Sequence, residues 1–298
     1  MERHALTLTL KNGGRRRMSE HMMLSRKFDE KRVKYPSYVS EKLDGVPVVV
    51  GFFDGKVRAI SRQGNEITSV SHILKEIEHL VKARPEMEWV GELYIPYTPF
   101  KDISGKVRKQ NVTSEDLELH LFDCFDRRDE LMKYSTRLGL LKNLKSTFLK
   151  PTSKIKIITT HYCEDVYEIM NTYTMYTASE GIMIRSAEGI YEKGKRSWDM
   201  MKLKPEPTVD LVVVGVNQAV DKYGKLKGMI GSFICNYKGK YINVGAGKLT
   251  RDERIQAWAE QPIGKVIEVK YMPDDSYESL RQPVFMRWRE DKRVASYE

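Results

Sequence analysis

Apolar positions along the first two thirds of the chain follow two periods, which predict strands and helices in mixed order. Strand-like runs predict strands at Val46–Phe53, Gly181–Arg185 and Asp199–Lys204, and buried strands at Met87–Ile95 and Leu119–Phe125. Asp54-Gly55 predicts a hairpin turn into a further strand at Lys56–Ile60. Helical spacing predicts helices at Ser71–Ala83, with Ser71 as N-cap, at Ser135–Phe148 and at Asp165–Tyr176. This order favours an α+β domain with antiparallel sheets over a doubly wound parallel sheet.

The last third of the chain has a different pattern. Pro205-Glu206-Pro207 interrupts any regular element and predicts a linker. Beyond it we predict strands at Asp210–Asn217, Ser232–Tyr237, Lys240–Gly245, Lys265–Tyr271 and Val284–Arg289, with a helix at Arg251–Glu260. Five strands with a helix after the third are the pattern of an OB-fold β-barrel. We therefore predict two domains, residues 1–204, which include a basic N-terminal segment 1–34, and residues 205–298.

The composition is that of a folded and basic protein. Of 298 residues, 41% are hydrophobic, and Lys+Arg (51) exceed Asp+Glu (41), which gives a net charge of +10. These values exclude a collagen, a disordered chain and a disulfide scaffold. Without a spanning apolar run, a signal peptide or paired cysteines, we expect an intracellular, cytoplasmic protein (in the host cell, if viral) that is not secreted and has no membrane partner.

The basic excess is concentrated at the N-terminus. Ten Lys or Arg and four acidic residues lie between Met1 and Lys34. A patch of this kind is typical of proteins that bind a polyanion, nucleic acid above all.

The segment Ser40-Glu41-Lys42-Leu43-Asp44-Gly45 carries the first candidate chemistry. A lysine amine attacks phosphorus only when uncharged, and desolvation or neighbouring cations lower its pKa enough to allow this. In an extended segment Asp44 shares a face with Lys42, and Gly45 permits a close backbone approach.

Four further segments carry charges on predicted strands or turns. They are Ser61-Arg62-Gln63-Gly64, Val90-Gly91-Glu92-Leu93, Ser179-Glu180-Gly181-Ile182-Met183-Ile184-Arg185 and Met201-Lys202-Leu203-Lys204. The two-residue period of a strand places Lys202 and Lys204 on one face. Because carboxylates bind Mg²⁺ or ribose and cations bind phosphate, the set suits a site for a metal–nucleoside triphosphate.

In this order the segments resemble the motifs of the covalent nucleotidyltransferase superfamily, most closely the small ATP-dependent DNA ligases of viral and phage type. Lys42-Leu43-Asp44-Gly45 resembles the K-x-D-G nucleophile motif, and the segments with Arg62, Glu92, Glu180 and Lys202 resemble the second to fifth motifs. Leu121-Phe122-Asp123 is similar to the family's aromatic-acid motif. Arg287-Trp288-Arg289-Glu290-Asp291-Lys292 resembles the R-x-D-K motif that ends the family's OB domain.

The resemblance implies an ATP-dependent DNA ligase that seals 5′-phosphate/3′-hydroxyl nicks in duplex DNA, in repair, replication or recombination. Lys42 would attack the α-phosphate of ATP to form lysyl-AMP. The adenylate would pass to the 5′-phosphate at the nick, and the 3′-hydroxyl would then displace AMP. Mg²⁺ or another divalent cation would assist. We expect a monomer, because no spare apolar helix face is evident.

The resemblance also assigns roles at the nucleotide. Phe122 would stack on the adenine. Glu92 would hold the ribose or the metal, and Glu180 the metal. Lys202 and Lys204 would neutralise the α-phosphate.

Other roles concern the surroundings of the nucleotide. Arg62 would bind ribose or the 5′-phosphate of the nick, Glu41 would contact the nucleotide, and Asp44 would act beside Lys42. The residues that would orient the pyrophosphate, once the OB domain closes over ATP, are Arg289, Asp291 and Lys292. The hinge would lie at Pro205–Thr208.

Two features depart from the family's pattern. The sixth position of the first motif, usually arginine, is Pro47, so its phosphate contact must come from elsewhere, with Arg62 or Arg58 as candidates. Ala219–Ile230 is too short to encircle a duplex as the latch-like insertion of minimal viral ligases does. The basic segment Arg15–Lys34 would compensate through salt-sensitive contacts with DNA.

Three other functions share part of the pattern. A GTP-dependent mRNA capping enzyme shares the K-x-D-G lysine and the OB domain, whereas small RNA ligases usually lack that domain. A non-catalytic OB-fold protein that binds nucleic acid would explain the charge and the barrel. This third function gives no reason for Lys42, Glu180 and Lys202 to occur in this order.

Overall fold

A computed structural model describes residues 22–176, 179–272 and 279–296 of the chain. It divides into two compact units. The first unit holds the described residues up to Thr172 together with Met183–Lys202, and the second holds Tyr173–Ile182 together with the described residues from Leu203 onward.

The first unit is built on two sheets. Its strands are β1 (Leu24–Lys27), β2 (Ser37–Glu41), β3 (Val46–Phe53), β4 (Lys56–Ser61), β5 (Met87–Tyr94), β6 (Glu118–Asp126), β7 (Ile155–Ile157), β8 (Thr160–Cys163), β9 (Ile182–Ser186) and β10 (Arg196–Leu203). Its helices are α1 (Ser71–Ala83), α2 (Phe100–Val107), α3 (Tyr134–Thr147) and α4 (Val166–Met175), the last of which runs into the second unit. In the described residues one sheet has the order β4-β3-β5-β6-β7 and the other β1-β10-β9-β2-β8.

Strand β3 lies inside the first sheet and is buried on both faces. Val48 and Val50 join the core beneath α1, whereas Val49 points into a second apolar cluster with Val90 and Met200. Burial on both faces explains why this strand is an unbroken apolar run. Helix α1 buries Ile73, Ile77 and Val81, one turn apart, against the first of these cores. The predicted α1, β3 and α+β class are therefore confirmed.

The predicted N-cap of α1 is wrong by one residue. Ser71 is the first helical residue, and the cap position is Val70, which makes no side-chain capping bond. The Ser71 hydroxyl instead lies 2.5 Å from that of Thr113. A partner distant in sequence thus takes the hydroxyl that local capping would have used.

The second unit is a closed β-barrel of five strands in the described residues, with the order β11-β12-β13-β15-β14. Its elements are β11 (Thr208–Val220), β12 (Leu226–Tyr237), β13 (Lys240–Gly245), α5 (Arg251–Glu260), β14 (Val266–Met272) and β15 (Arg281–Trp288). Helix α5 begins with a capping box, in which Thr250 and Glu253 each bond the other's backbone N–H. The predicted barrel with a helix after its third strand is confirmed.

One detail of the barrel differs from the sequence expectation. Most of Ala219–Ile230 is not a loop, because β11 continues to Val220 and β12 begins at Leu226. The connection is a tight turn closed by a hydrogen bond from the Asp221 N–H to the Lys225 carbonyl, 2.9 Å long.

Residues 204–207 have no regular structure, as the prolines predict. Among the helices of the described residues, none combines the length and apolar character that crossing a membrane requires.

Candidate active site

The Lys42 segment connects the two sheets of the first unit. Strand β2 ends at Glu41, and β3 begins at Val46. Between them Leu43 is buried, with 9% of its surface exposed, while Lys42 and Asp44 are only partly buried. This alternation is what an extended segment produces when its middle side chain faces the core. It leaves the lysine and the aspartate together on the accessible side, as the sequence predicts.

Gly45 fixes this segment against strand β5. A Cβ atom at Gly45 would lie 2.4 Å from the Leu93 carbonyl oxygen and 2.7 Å from Cγ of Glu92, so no larger residue fits. Directly beyond, Pro47 pairs with Glu92 in the β3–β5 ladder. The structure therefore brings the Lys42 segment and Glu92 together.

Two residues that the sequence analysis missed lie beside this segment. The pKa of Tyr94 is raised, chiefly by burial and then by the charges of Glu41 and Asp44. The ring of His120 meets the ring of Tyr94 edge-on, 5.4 Å between centroids, and His120 pairs with Glu92 in the β5–β6 ladder. Alternation along β5 and β6 predicts which residues share a face, but only the ladder register pairs them.

We expect His120 to make the stability of the protein depend on pH. Burial lowers its pKa from 6.5, and this outweighs the opposing hydrogen bond with Glu118, 3.1 Å long. As pH falls through about 6.5 the unfolded chain binds this proton before the folded chain does, so the contribution of His120 to stability falls with pH. In His120→Gln we expect a flatter slope of the urea midpoint between about pH 8 and about pH 5 than in wild type. Equal slopes in the two proteins would contradict this assignment.

Phe122 lies in an apolar cluster between the two sheets. It packs with Met183 against buried residues that include Val90 and Met200. The backbone carbonyl of Phe122 accepts a hydrogen bond of 3.2 Å from the Tyr134 hydroxyl, which fixes this part of β6. Phe122 and Met183 thus offer apolar surface suited to a flat base.

Arg185 connects this cluster to the Lys42 segment. Its guanidinium lies 4.9 Å from the centroid of the Phe122 ring and donates a 3.2 Å hydrogen bond to Oγ of Ser40, two residues before Lys42. Arg185 is 3% exposed, and its Nε has no acceptor among the described residues. Arg185 ends the fourth motif, and its role at this position depends on contacts that the sequence does not show.

The two lysines of the fifth motif do not lie on the same strand. Lys202 lies in β10, where its carbonyl accepts a 2.9 Å bond from the Phe28 N–H of the strand β1 region. Strand β10 ends at Leu203, so Lys204 lies beyond the strand on which it was predicted. The following Pro205 explains the early end, because proline restricts the residue before it and lacks a backbone donor.

Lys204 and Glu180 form an ion pair within the second unit. Both are largely shielded, with 25% and 11% of their side chains exposed. Gly181 allows the approach: it has φ +122°, and a Cβ there would lie 2.1 Å from the Leu203 carbonyl oxygen. The structure therefore places Glu180 and Lys204 in direct contact.

The two arginines proposed to replace the one missing at Pro47 differ in their surroundings. Arg58 pairs with Asp54 at 3.1 Å and lies 4.0 Å from Glu66, within the β3–β4 hairpin region. Arg62 is exposed in the turn after β4, and none of the described carboxylates lies within 4 Å of it. Arg62 therefore remains the candidate with an uncommitted charge.

The last motif is held on the barrel by Asp210. The Arg289 Nη1 donates to both oxygens of Asp210, at 3.0 and 2.8 Å, and Lys292 Nζ lies 2.5 Å from the second. Arg289 also makes a bidentate pair with Asp291 at 2.9 and 2.7 Å. Hydrogen bonding to Arg289 lowers the pKa of Asp291 to about 2. Asp210 and Ser296 exchange backbone hydrogen bonds of 2.8 and 2.9 Å, which anchor the segment.

The described residues contain no group of three or more His, Cys, Asp or Glu side chains that could hold a metal ion by themselves. Metal binding by Glu92 and Glu180 therefore stays a prediction. One or two carboxylates fit Mg²⁺ only where substrate phosphates and water supply the other ligands.

Two family models match the chain. The ATP dependent DNA ligase domain matches residues 22–204, and the DNA ligase OB-like domain matches residues 223–289. DNA ligase 1 of Methanosarcina mazei is 30% identical over 234 residues, which cover 69% of this chain and 39% of that protein. The DNA ligase of Natronomonas pharaonis is 26% identical over 294 residues, 85% of this chain and 52% of that protein. The chain thus spans about half or less of the length of these relatives.

Solved structures show the same fold. One solved structure comes from a structure-function analysis of Lig E DNA ligases, which concerns DNA binding with a minimal scaffold. It superposes on this chain with a TM-score of 0.74 at 21% identity, covering 90% of this chain and 99% of that one. The Chlorella virus DNA ligase-adenylate has a TM-score of 0.52 at 22% identity, covering 92% and 99%. At such identities the likeness concerns the fold alone.

Proposed function

The chain belongs to the ATP-dependent DNA ligase family, and from that premise we propose that it seals 5′-phosphate/3′-hydroxyl nicks in duplex DNA through a lysyl-AMP intermediate. The observation that supports this best is the packing of the Lys42 segment on Glu92, enforced at Gly45. It puts a lysine, a carboxylate and the Phe122 cluster in one compact unit.

Lys42 supplies the nucleophile in the first step. Its uncharged amine forms a bond to the α-phosphorus of ATP, and the bond from that phosphorus to the pyrophosphate oxygen breaks. Phe122 and Met183 bind the adenine, while Arg185 holds Phe122 in position. Lys202 neutralises charge on the α-phosphate. Positioning and charge stabilisation then supply most of the catalysis in this and the two later transfers.

The carboxylates serve the nucleotide and its cation. Glu92 would hold the ribose or a divalent cation, and Glu180 would hold a divalent cation. Mg²⁺, when bound, offsets the negative charge of the triphosphate. Glu41 and Asp44 lie beside Lys42, and Arg62 contacts the ribose or the nick 5′-phosphate in place of the missing arginine at Pro47.

Arg289, Asp291 and Lys292 orient the leaving pyrophosphate in the first step. We expect Arg289→Ala to slow lysyl-AMP formation by about a hundredfold, because a charged donor to the transition state is lost. Joining of a nick that already carries adenylate should change by less than about threefold, since no pyrophosphate leaves in that step. Rapid-quench assays of both steps make the comparison.

Arg287→Ala is the matched control for this prediction. Arg287 lies two residues away in β15, is 67% exposed at the side chain and pairs with Glu268. It should leave both steps near the wild-type rates. An Arg289→Ala protein that loses both steps equally would contradict the pyrophosphate role.

The organisation and setting of the enzyme follow from the same proposal. Residues up to 204 act as the adenylation domain and residues from 205 as the OB domain, with the hinge at Pro205–Thr208. The protein acts as a monomer inside the cell, where nicked duplex DNA is its partner. A capping enzyme, an RNA ligase and a non-catalytic binding protein are not favoured, because both matched domain families are those of DNA ligases.

A sealing assay tests the function directly. The substrate is a nicked duplex with a labelled 5′-phosphate, incubated with the protein, a divalent cation and either ATP or GTP. We expect joined strands with ATP, none with GTP, and none when the 5′-phosphate is replaced by a hydroxyl. Joining with GTP, or label on the protein without any joining, would overturn the proposal.

A further inference from the structure

Two arginines meet on one tryptophan at the edge of the second sheet. The guanidinium of Arg26 lies 4.8 Å from the centroid of the Trp198 ring, and that of Arg32 lies 5.5 Å from it. Both distances are within the range of a cation–π contact. Arg26 belongs to β1, which pairs in parallel with β10, and Arg32 ends a short 3₁₀ turn at Glu30–Arg32. Three separate pieces of backbone therefore converge on this cluster, which we call the Arg26–Trp198–Arg32 cluster.

The charges of the two arginines are not neutralised by the described carboxylates. None of these lies within 4 Å of either guanidinium; Asp199 instead pairs with Lys34 at 2.6 Å. Asp29 accepts a 3.1 Å bond from the Lys31 backbone N–H. The Nε of Arg26 is buried and has no acceptor among the described residues.

This arrangement is electrostatically incomplete. Two like charges held on one ring repel each other, and a buried donor without an acceptor loses a hydrogen bond that water would have supplied. An anion between the guanidinium groups would relieve both. A guanidinium donates two parallel hydrogen bonds to a phosphate, and Trp198 keeps the planar groups oriented before the anion arrives.

We propose that the Arg26–Trp198–Arg32 cluster is a phosphate-binding site. It contacts the backbone of the DNA duplex at a position several nucleotides from the nick. This rests on the proposed function. Four exposed cations lie close to the cluster in sequence, namely Lys27, Lys31, Lys195 and Arg196. The ligand is a backbone phosphodiester rather than a base, because guanidinium groups on an indole face read charge and not sequence.

The distance between Trp198 and Lys202 along β10 limits how far from the nick this contact lies. Trp198 precedes Lys202 by four residues, and four residues span at most about 14 Å. Duplex DNA rises about 3.4 Å per nucleotide of one strand. A site at this reach from Lys202 contacts the backbone within about four nucleotides of the joint.

The test is the salt dependence of DNA binding. The double variant Arg26→Gln/Arg32→Gln should bind a nicked duplex at least about tenfold more weakly at moderate salt, and its slope of log affinity against log salt should be shallower by about one to two. The double variant Arg26→Lys/Arg32→Lys keeps both charges and should keep most of the slope. Lys75→Gln/Lys82→Gln, on α1 of the same unit, removes the same charge and is the matched control.

Two further measurements separate the outcomes. We expect Arg26→Gln/Arg32→Gln to form lysyl-AMP at the wild-type rate, since that step involves no DNA. The proposal is overturned if this variant loses lysyl-AMP formation. It is also overturned if the variant loses affinity for inorganic phosphate or ATP while its DNA affinity is unchanged, because the ligand is then a free phosphate. An unchanged salt slope in a folded variant also overturns it. A wild-type protein that forms no lysyl-AMP would contradict the ligase function, and its DNA affinity would still test the cluster.

Discussion

Replacing Lys42 with alanine is expected to abolish lysyl-AMP formation, with a loss of at least about a thousandfold. No other group can replace the amine, because the covalent intermediate is the bond from this nitrogen to phosphorus. Glu92, the Phe122 cluster and Lys202 would still bind ATP in the variant. The measurement is transfer of label from ATP labelled at the α-phosphate to the protein, followed on a denaturing gel.

Lys42→Arg sharpens the test. Arginine keeps the charge and most of the length of lysine, but it does not lose its proton in proteins and so cannot act as the nucleophile. It should fail like alanine. Lys75→Ala, an exposed lysine on α1, should be labelled at the wild-type rate. Both Lys42 variants should bind nicked duplex normally, so that their failure is one of chemistry; substantial labelling of either would contradict the assignment.

Replacing Arg137 with alanine is expected to cost about 3–5 kcal/mol of unfolding free energy. Its guanidinium binds Asp123 at 2.7 and 3.2 Å, and the two side chains are 3% and 2% exposed. Burial alone would lower the pKa of Arg137, but the charge and hydrogen bonds of Asp123 outweigh it and raise the pKa. Without the arginine a carboxylate is left buried and unpaired beside Phe122, and its desolvation is no longer offset. Urea denaturation measures the loss.

Two comparisons isolate the buried pair. Arg128 also pairs with carboxylates, Asp126 and Glu86, but its side chain is 67% exposed, so Arg128→Ala should change stability little. The double variant Asp123→Leu/Arg137→Met removes both charges and should recover much of the loss. If Arg137→Ala were no less stable than Arg128→Ala, the pair would not be the structural element that its burial indicates.

The sequence predicts best those elements whose cause is local. Helix α1 follows from its apolar period, because it buries the face that this period defines. Strands β3 and β5 follow from continuous apolar runs, which are buried on both faces. The strands β1, β2, β7 and β8 are three to five residues long and were missed, since so few residues show no period. Helix α2 was missed because Ser104 and Gly105 inside it are weak helix formers.

The candidate site divides in the same way. Lys42, Asp44 and Glu92 are recognisable in the sequence, because their motifs are short and contiguous. Partners that depend on strand register or on distant segments are not. His120 joins Glu92 only through the β5–β6 ladder, and Asp210 binds Arg289 across 79 positions of sequence. No periodicity links residues so far apart, so the structure was needed to find them.

The most direct measurement is the location of the adenylate on the protein. The wild-type chain is incubated with ATP and a divalent cation, digested, and its peptides are sequenced by mass spectrometry. We expect one adenylate group, on the side-chain nitrogen of Lys42, through a bond that acid cleaves and alkali does not. Adenylate on a different residue, or strand joining by a protein that never carries adenylate, would contradict it.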